Sequence, residues 1–170
     1  MKIGLIDVDS HRWPNLCLMK LSAYHKAQGN DVEWWTPESQ YDLVYKSRVF
    51  TDTYSKDRIA VTNADELVCG GTGYGPGPDL PDAVEHIRPD YGLYPQFPDT
   101  AYGFLTRGCP NRCGFCVVSG KEGAKSVHVA DLSEFWDGQR ELKLMDANLL
   151  GCPDHERLIV QLAGSRALVD

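Results

Sequence analysis

Three cysteines, Cys109, Cys113 and Cys116, stand at C-x3-C-x2-C spacing in the run Cys109-Pro110-Asn111-Arg112-Cys113-Gly114-Phe115-Cys116. No other stretch of the 170 residues restricts fold and chemistry so tightly. The run follows an apolar, strand-like segment, Ala101–Thr106. Three thiolates closing on one point suit a [4Fe–4S] cube, whose irons take cysteine sulfur as their protein ligand. Three cysteines serve three of the cube's irons, so the fourth stays open to bind and activate a small molecule. Zinc is the other metal that takes cysteine clusters. A structural zinc site normally has four ligands, often as two C-x2-C pairs, and this loop holds one such pair. His128 or Cys152 would have to complete it.

The cysteine count fits a metal rather than a disulfide framework. Six cysteines could form three disulfides, but a tight cluster in a reducing compartment more often holds metal or does catalysis. Cys17 and Cys69 lie among apolar residues and read as small buried hydrophobes. Cys152, after an expected strand and before Pro153, is a candidate additional ligand or reactive thiol. The formal net charge of -7 argues against a general nucleic-acid binder held by phosphate contacts. A local basic patch of Arg107, Arg112, Lys121 and Lys125 nonetheless flanks the loop. No stretch reaches the roughly 18 consecutive apolar residues of a membrane span, and the short apolar run before Asp7 is no secretory signal. These features point to the cytoplasm.

The cysteine spacing, with an aromatic residue just before the last cysteine, resembles the signature loop of the radical S-adenosylmethionine (radical SAM) superfamily. The segment Gly103–Asp131, GFLTRGCPNRCGFCVVSGKEGAKSVHVAD, resembles the cluster-binding region of uncharacterised members. The stretch from Met1 to Gly73 resembles a short α/β domain that precedes it in some of them. The resemblance implies a [4Fe–4S] cluster on Cys109, Cys113 and Cys116 with S-adenosyl-L-methionine at the open iron. The backbone of Phe115 would then lie against the adenine. The reduced cluster would cleave the cofactor to methionine and a 5′-deoxyadenosyl radical, which abstracts hydrogen from a substrate the sequence does not specify. An electron donor such as flavodoxin or ferredoxin is implied as a partner. Asp146 and Asn148 follow an expected strand where the family holds the amino or ribose end of the cofactor. Many members carry a Gly-Gly-Glu-like segment there; this chain has Asp146-Ala147-Asn148, and a solvated strand end is the alternative reading.

Element signals divide the chain into a Rossmann-like (flavodoxin-like) α/β domain over residues 1–75, a Pro/Gly-rich linker over 76–100 and a second α/β region over 101–170. Strands are expected at 2–8, 31–35, 42–45 and 66–69. A helix after Pro14 should keep Leu16, Met19, Ala23 and Ala27 on one face, and a short helix is placed near 53–59. Alternating β and α elements argue for a mostly parallel sheet. Trp34 and Trp35 read as strand packing. Gly70–Pro78 has the glycines of a phosphate loop, but its prolines lack N–H groups, which favours a turn-rich connection. Residues 74–100 hold six of the ten prolines and read as irregular chain. Asp9-Ser10-His11 resembles the Asp-x-His-x-x-Gly loop of cobalamin-binding domains, although Pro14 occupies the glycine position and the domain is short. A surface histidine is the simpler expectation for His11.

The second region should begin with a strand at 101–106 and the cysteine loop. A helical turn at 131–136, a strand at 141–146, a helix at 154–162 and a strand from 167 follow. Gly114 suits the tight turn between Cys113 and Cys116. The resemblance implies a partial (β/α)6 barrel, each unit of which takes on the order of 30 residues. Residues 101–170 supply two units and the start of a third, so the barrel is expected to be truncated, or completed by a second chain. Turnover by this chain alone is correspondingly doubtful. The alternative function is a non-catalytic iron–sulfur or zinc-binding module.

Overall fold

The computed structural model describes residues 1–9, 13–75, 77 and 79–170, so the expectation for His11 lies outside the described residues. The chain is mixed α/β with parallel sheets and divides into two compact units, Met1–Tyr94 and Pro95–Asp170.

In the first unit, β1 (Lys2–Asp7), β2 (Asp31–Trp34), β3 (Tyr41–Ser47) and β4 (Ala64–Gly70) form one parallel sheet in the order β2-β1-β3-β4. Central strands of parallel sheets are covered on both faces and read as continuous apolar runs. That is the pattern of β1, where Ile3, Leu5 and Ile6 are buried in succession around Gly4. A Cβ on Gly4 would press on Val44 Cγ2 at 3.0 Å and on the Tyr41 ring at 3.1 Å. Glycine therefore lets β1 and β3 pack around the Tyr41 side chain.

Helix α1 (Leu16–Ala27) joins β1 to β2. Asn15 caps it by accepting the Leu18 amide at 3.2 Å, and Pro14 precedes the cap instead of occupying the first turn. Gly29 closes the helix in the left-handed region, φ +77°. The buried residues are Leu18, Met19, Lys20, Leu21, Ser22 and His25, while Ala27 is exposed. This differs from the expected stripe because α2 (Asp82–Glu85) also packs on α1. There Glu85 takes the Lys20 ammonium at 2.8 Å. The polar Ser22 is satisfied by Asp90 at 2.6 Å. Tyr94 donates to Asp7 Oδ2 at 2.8 Å in the interior of the same unit.

Two other expectations change. Residues 53–59 form turns and extended chain, not a helix, since Lys46 holds that segment by bonding Asp57 and the Ile59 carbonyl, both at 2.5 Å. Cys69 is exposed rather than buried, because β4 is an edge strand whose residues face outward. Trp34, the last residue of β2, edges onto Tyr94 at 5.3 Å, and Trp35, just beyond the strand, packs against the core and donates Nε1 to Asn63 at 2.9 Å.

In the second unit, β5 (Thr100–Gly103), β8 (Glu141–Leu144) and β9 (Leu168–Val169) form a three-stranded parallel sheet in that order. The crossover from β5 to β8 contains the antiparallel pair β6 (Thr106–Arg107) and β7 (Val127–His128), with the cysteine loop and a helical turn, α3 (Val118–Lys121), between them. The crossover from β8 to β9 is α4 (His155–Ser165). Leu158 and Leu162, four residues apart, bury one face of α4, which packs on the turn Leu132–Glu134; Ala101, Leu105, Phe135 and Leu142 are also buried in this unit. The expected strand at 101–106 is broken after Gly103, where a Cβ would enter the Phe135 ring. Among the described residues, no helix is long and apolar enough to cross a membrane.

Candidate metal centre

The cysteine loop leaves the sheet from a fixed base. Asp146, just beyond β8, accepts the Leu105 amide at 3.1 Å on one carboxylate oxygen. Its other oxygen takes the Thr106 amide at 2.5 Å and hydroxyl at 2.6 Å. Thr106 is fully buried. These three donors engage both oxygens of Asp146, so its carboxylate positions the start of the loop.

Gly108 comes next, with φ +85°. A Cβ there would run into the Lys125 carbonyl, so only glycine lets the two flanks of the loop approach. Glu122 accepts the Gly108 amide at 3.3 Å and lies 3.7 Å from Arg107. The Cys109 amide donates to the Gly123 carbonyl at 3.1 Å. Arg107 also lies over the Phe104 ring, its guanidinium carbon 4.0 Å from the ring centre.

Beyond this base the tip is open to solvent. Cys113 is exposed, Cys109 and Cys116 are half-buried, and all three are free thiols. The Cys116 amide donates to the Cys113 carbonyl at 2.9 Å, closing a turn around their C-x2-C spacing. Gly114 lies within this turn, and Arg112, just before it, takes the left-handed conformation, φ 48°. Phe115 is 93% exposed and Val117 70%. Among the described residues, no group of three His, Cys, Asp or Glu side chains is placed to hold a metal ion. The structure thus forms the Cys113–Cys116 turn without gathering the three sulfurs into a ligand set. The donors are nonetheless suited to an iron–sulfur cluster: three unbridged thiols stand on an accessible tip with an anchored base.

Asn148 lies beside the first of them. Its Nδ2 is 3.7 Å from Cys109 Sγ, and its Oδ1 accepts the Gly151 amide at 2.9 Å. Of the two residues expected after β8, Asn148 reaches the cysteine loop's sulfur and Asp146 its backbone root.

An open cleft of about 510 Å³ adjoins the loop. It is bordered by Pro110, by residues 125–128 and by residues 151–154. Cys152 is almost fully buried beside it, 1% exposed. The Ser126 hydroxyl and His128 Nε2 are buried without a hydrogen-bond partner among the described residues. His128 Nε2 is 3.2 Å from Asp131 Oδ1, close enough for an ion pair once the imidazole is protonated but not aligned as a hydrogen bond. Gln161 and Arg157 of α4 bond the same Asp131 carboxyl, at 2.9 Å and 2.7 Å, and bring its pKa down to about 2.

Sequence reasoning alone misses Gly108, Asp146 as the loop's anchor, and the contact of Asn148 with sulfur. Only for Gly108 is there a local signal, a glycine directly before the first cysteine. Within residues 70–78, Gly71 and Gly73 are close-approach residues that lie against the backbone of Arg48 and Phe50, and the Gly73 amide donates to the Arg48 carbonyl at 2.9 Å. Compared with family models, with curated proteins and with solved structures, the chain matches none.

Proposed function

We propose that the second unit binds a [4Fe–4S] cluster through Cys109, Cys113 and Cys116, with S-adenosyl-L-methionine at the open iron, and that the chain is a radical SAM protein. The observation that carries this reading is the C-x3-C-x2-C loop itself, rooted by Asp146 and Gly108 and open at its tip. The consecutive parallel order β5-β8-β9 supports reading this unit as the first part of a (β/α)6 barrel. The order β2-β1-β3-β4 supports a Rossmann-like, flavodoxin-like first unit. When bound, the cluster would supply the one-electron reducing chemistry that cleaves S-adenosyl-L-methionine and opens hydrogen abstraction from a substrate. The chain's own part is to hold the loop root through Asp146, present three thiols, and lay the backbone of Phe115 against the adenine of the cofactor. The substrate is a small molecule or macromolecule of open identity, and the electron donor is a flavodoxin- or ferredoxin-like protein.

Anaerobic reconstitution with iron and sulfide tests the reading. We expect about four irons per chain, a reduced-cluster EPR signal that changes on adding S-adenosyl-L-methionine, and 5′-deoxyadenosine after dithionite. Iron far below that level, or an EPR signal indifferent to the cofactor, overturns it. A second reading, a non-catalytic iron–sulfur or zinc module, is favoured by the presence of His128 and Cys152 in the same cleft as Pro110. Tight zinc binding that is weakened by His128→Ala or Cys152→Ala selects it. So does a fully iron-loaded chain that forms no 5′-deoxyadenosine.

A further inference from the structure

We propose that Asn148 is a positioning residue that donates an N–H···S hydrogen bond to Cys109 and thereby raises the reduction potential of the cluster. The inference rests on the cluster reading above and adds a role for a residue outside the three-cysteine motif.

The orientation of the amide follows from its neighbours. Asn148 has one acceptor end and one donor end. The Gly151 amide, 2.9 Å away, can only donate, so the oxygen must face it. The –NH2 group is left pointing at Cys109 Sγ, 3.7 Å away, a normal separation for a bond to sulfur. The side chain has little freedom to leave this position. A Cβ on Gly151 would press on all three terminal atoms of the Asn148 amide, at 3.0–3.2 Å, and the same Asn148 accepts the amide that closes the turn Leu149–Gly151.

A donor aimed at a ligating sulfur matters because the sulfur carries part of the cluster's negative charge. Reduction adds one further electron to that charge. An N–H dipole pointing at the thiolate stabilises the reduced state more than the oxidised one, and hydrogen bonds to sulfur are among the determinants of cluster potential. The contact also joins the chain after β8 to the first cysteine. The segment anchored by Asp146 therefore carries a second tie, this time to a ligand atom.

The test uses Asn148→Asp and Asn148→Ser in the full chain. Both substitutes can still accept the Gly151 amide, so the turn is kept. Aspartate replaces the donor with a negative acceptor, and serine is too short to reach the sulfur. After anaerobic reconstitution, iron per chain and the EPR-monitored midpoint potential are measured, with thermal unfolding as a check on folding. We expect both variants to fold and their potentials to move negative, Asn148→Asp further than Asn148→Ser. Potentials equal to the wild type in both loaded variants overturn the inference and leave Asn148 a turn cap. If the wild-type chain itself takes up no cluster, the cluster reading fails and this inference with it, a result distinct from a loaded chain with an unmoved potential.

Discussion

Thr106 gives both its amide and its hydroxyl to a single oxygen of Asp146, 40 residues further along the chain. The other oxygen takes the neighbouring Leu105 amide, so one carboxylate locks the chain where the sheet ends and the cysteine loop begins. Replacing it with an amide turns one acceptor into a donor facing other donors. Asp146→Asn should destabilise the second unit by about 1.5–3 kcal/mol, the range for hydrogen bonds to a charged group. Urea unfolding of the variant and wild type checks this, and equal midpoints would show that the contact is dispensable.

Gly108 should tolerate no side chain. Its φ of +85° disfavours L-residues, and a methyl group would enter the Lys125 carbonyl. Gly108→Ala should cost about 1–3 kcal/mol from backbone strain alone. It should also lower iron uptake, because the two flanks of the loop would be pushed apart. A lower unfolding temperature with reduced iron per chain is the expected pair of results.

Single serine substitutions separate ligands from bystanders. Cys109→Ser, Cys113→Ser and Cys116→Ser should each bring reconstituted iron well below the wild-type level. Cys69→Ser, on the exposed edge strand β4, should leave it unchanged. Iron analysis and the visible absorption of the cluster give the comparison directly. Uptake that survives any one of the three loop substitutions would remove that residue from the ligand set.

The first unit should lose stability in mild acid through His25. The Met1 ammonium binds Asn30 Oδ1 at 3.1 Å, which turns Asn30 Nδ2 toward His25 Nδ1, 3.2 Å away. The ring proton then sits on Nε2, facing the Tyr45 hydroxyl at 3.0 Å. Burial, aided by the N-terminal ammonium, lowers the His25 pKa from the usual 6.5. As pH falls, the unfolded chain therefore takes up this proton first. The stabilisation is complete above about pH 6.5 and is lost as pH drops through the folded-state value. Urea midpoints at about pH 7.5 and 5.5 should differ in that direction, and His25→Gln should reduce the difference.

The parallel strands were legible in the sequence because they have local causes. The apolar run from Ile3 to Ile6 and the alternation of strand and helix signals announce a covered parallel sheet. The buried face of α1 was not, since Ser22 and Lys20 are held there by Asp90 and Glu85, more than 60 residues away. Likewise the 53–59 segment was held out of a helix by Lys46, a strand residue whose reach no local pattern reveals. At the candidate site the three thiols were plain from spacing. Their supports were not: Asp146 and Asn148 act across 40 and 39 residues, and both look from the sequence like a polar strand end.

The contrast between an anchored root and an exposed tip has a consequence for assembly. Gly108, Thr106 and the Cys109 amide are engaged by the chain itself, while Cys113 and Phe115 stand in water. On the proposed function, a metal group brought to this tip would meet a root already fixed by the polypeptide but would itself have to draw the three sulfurs together.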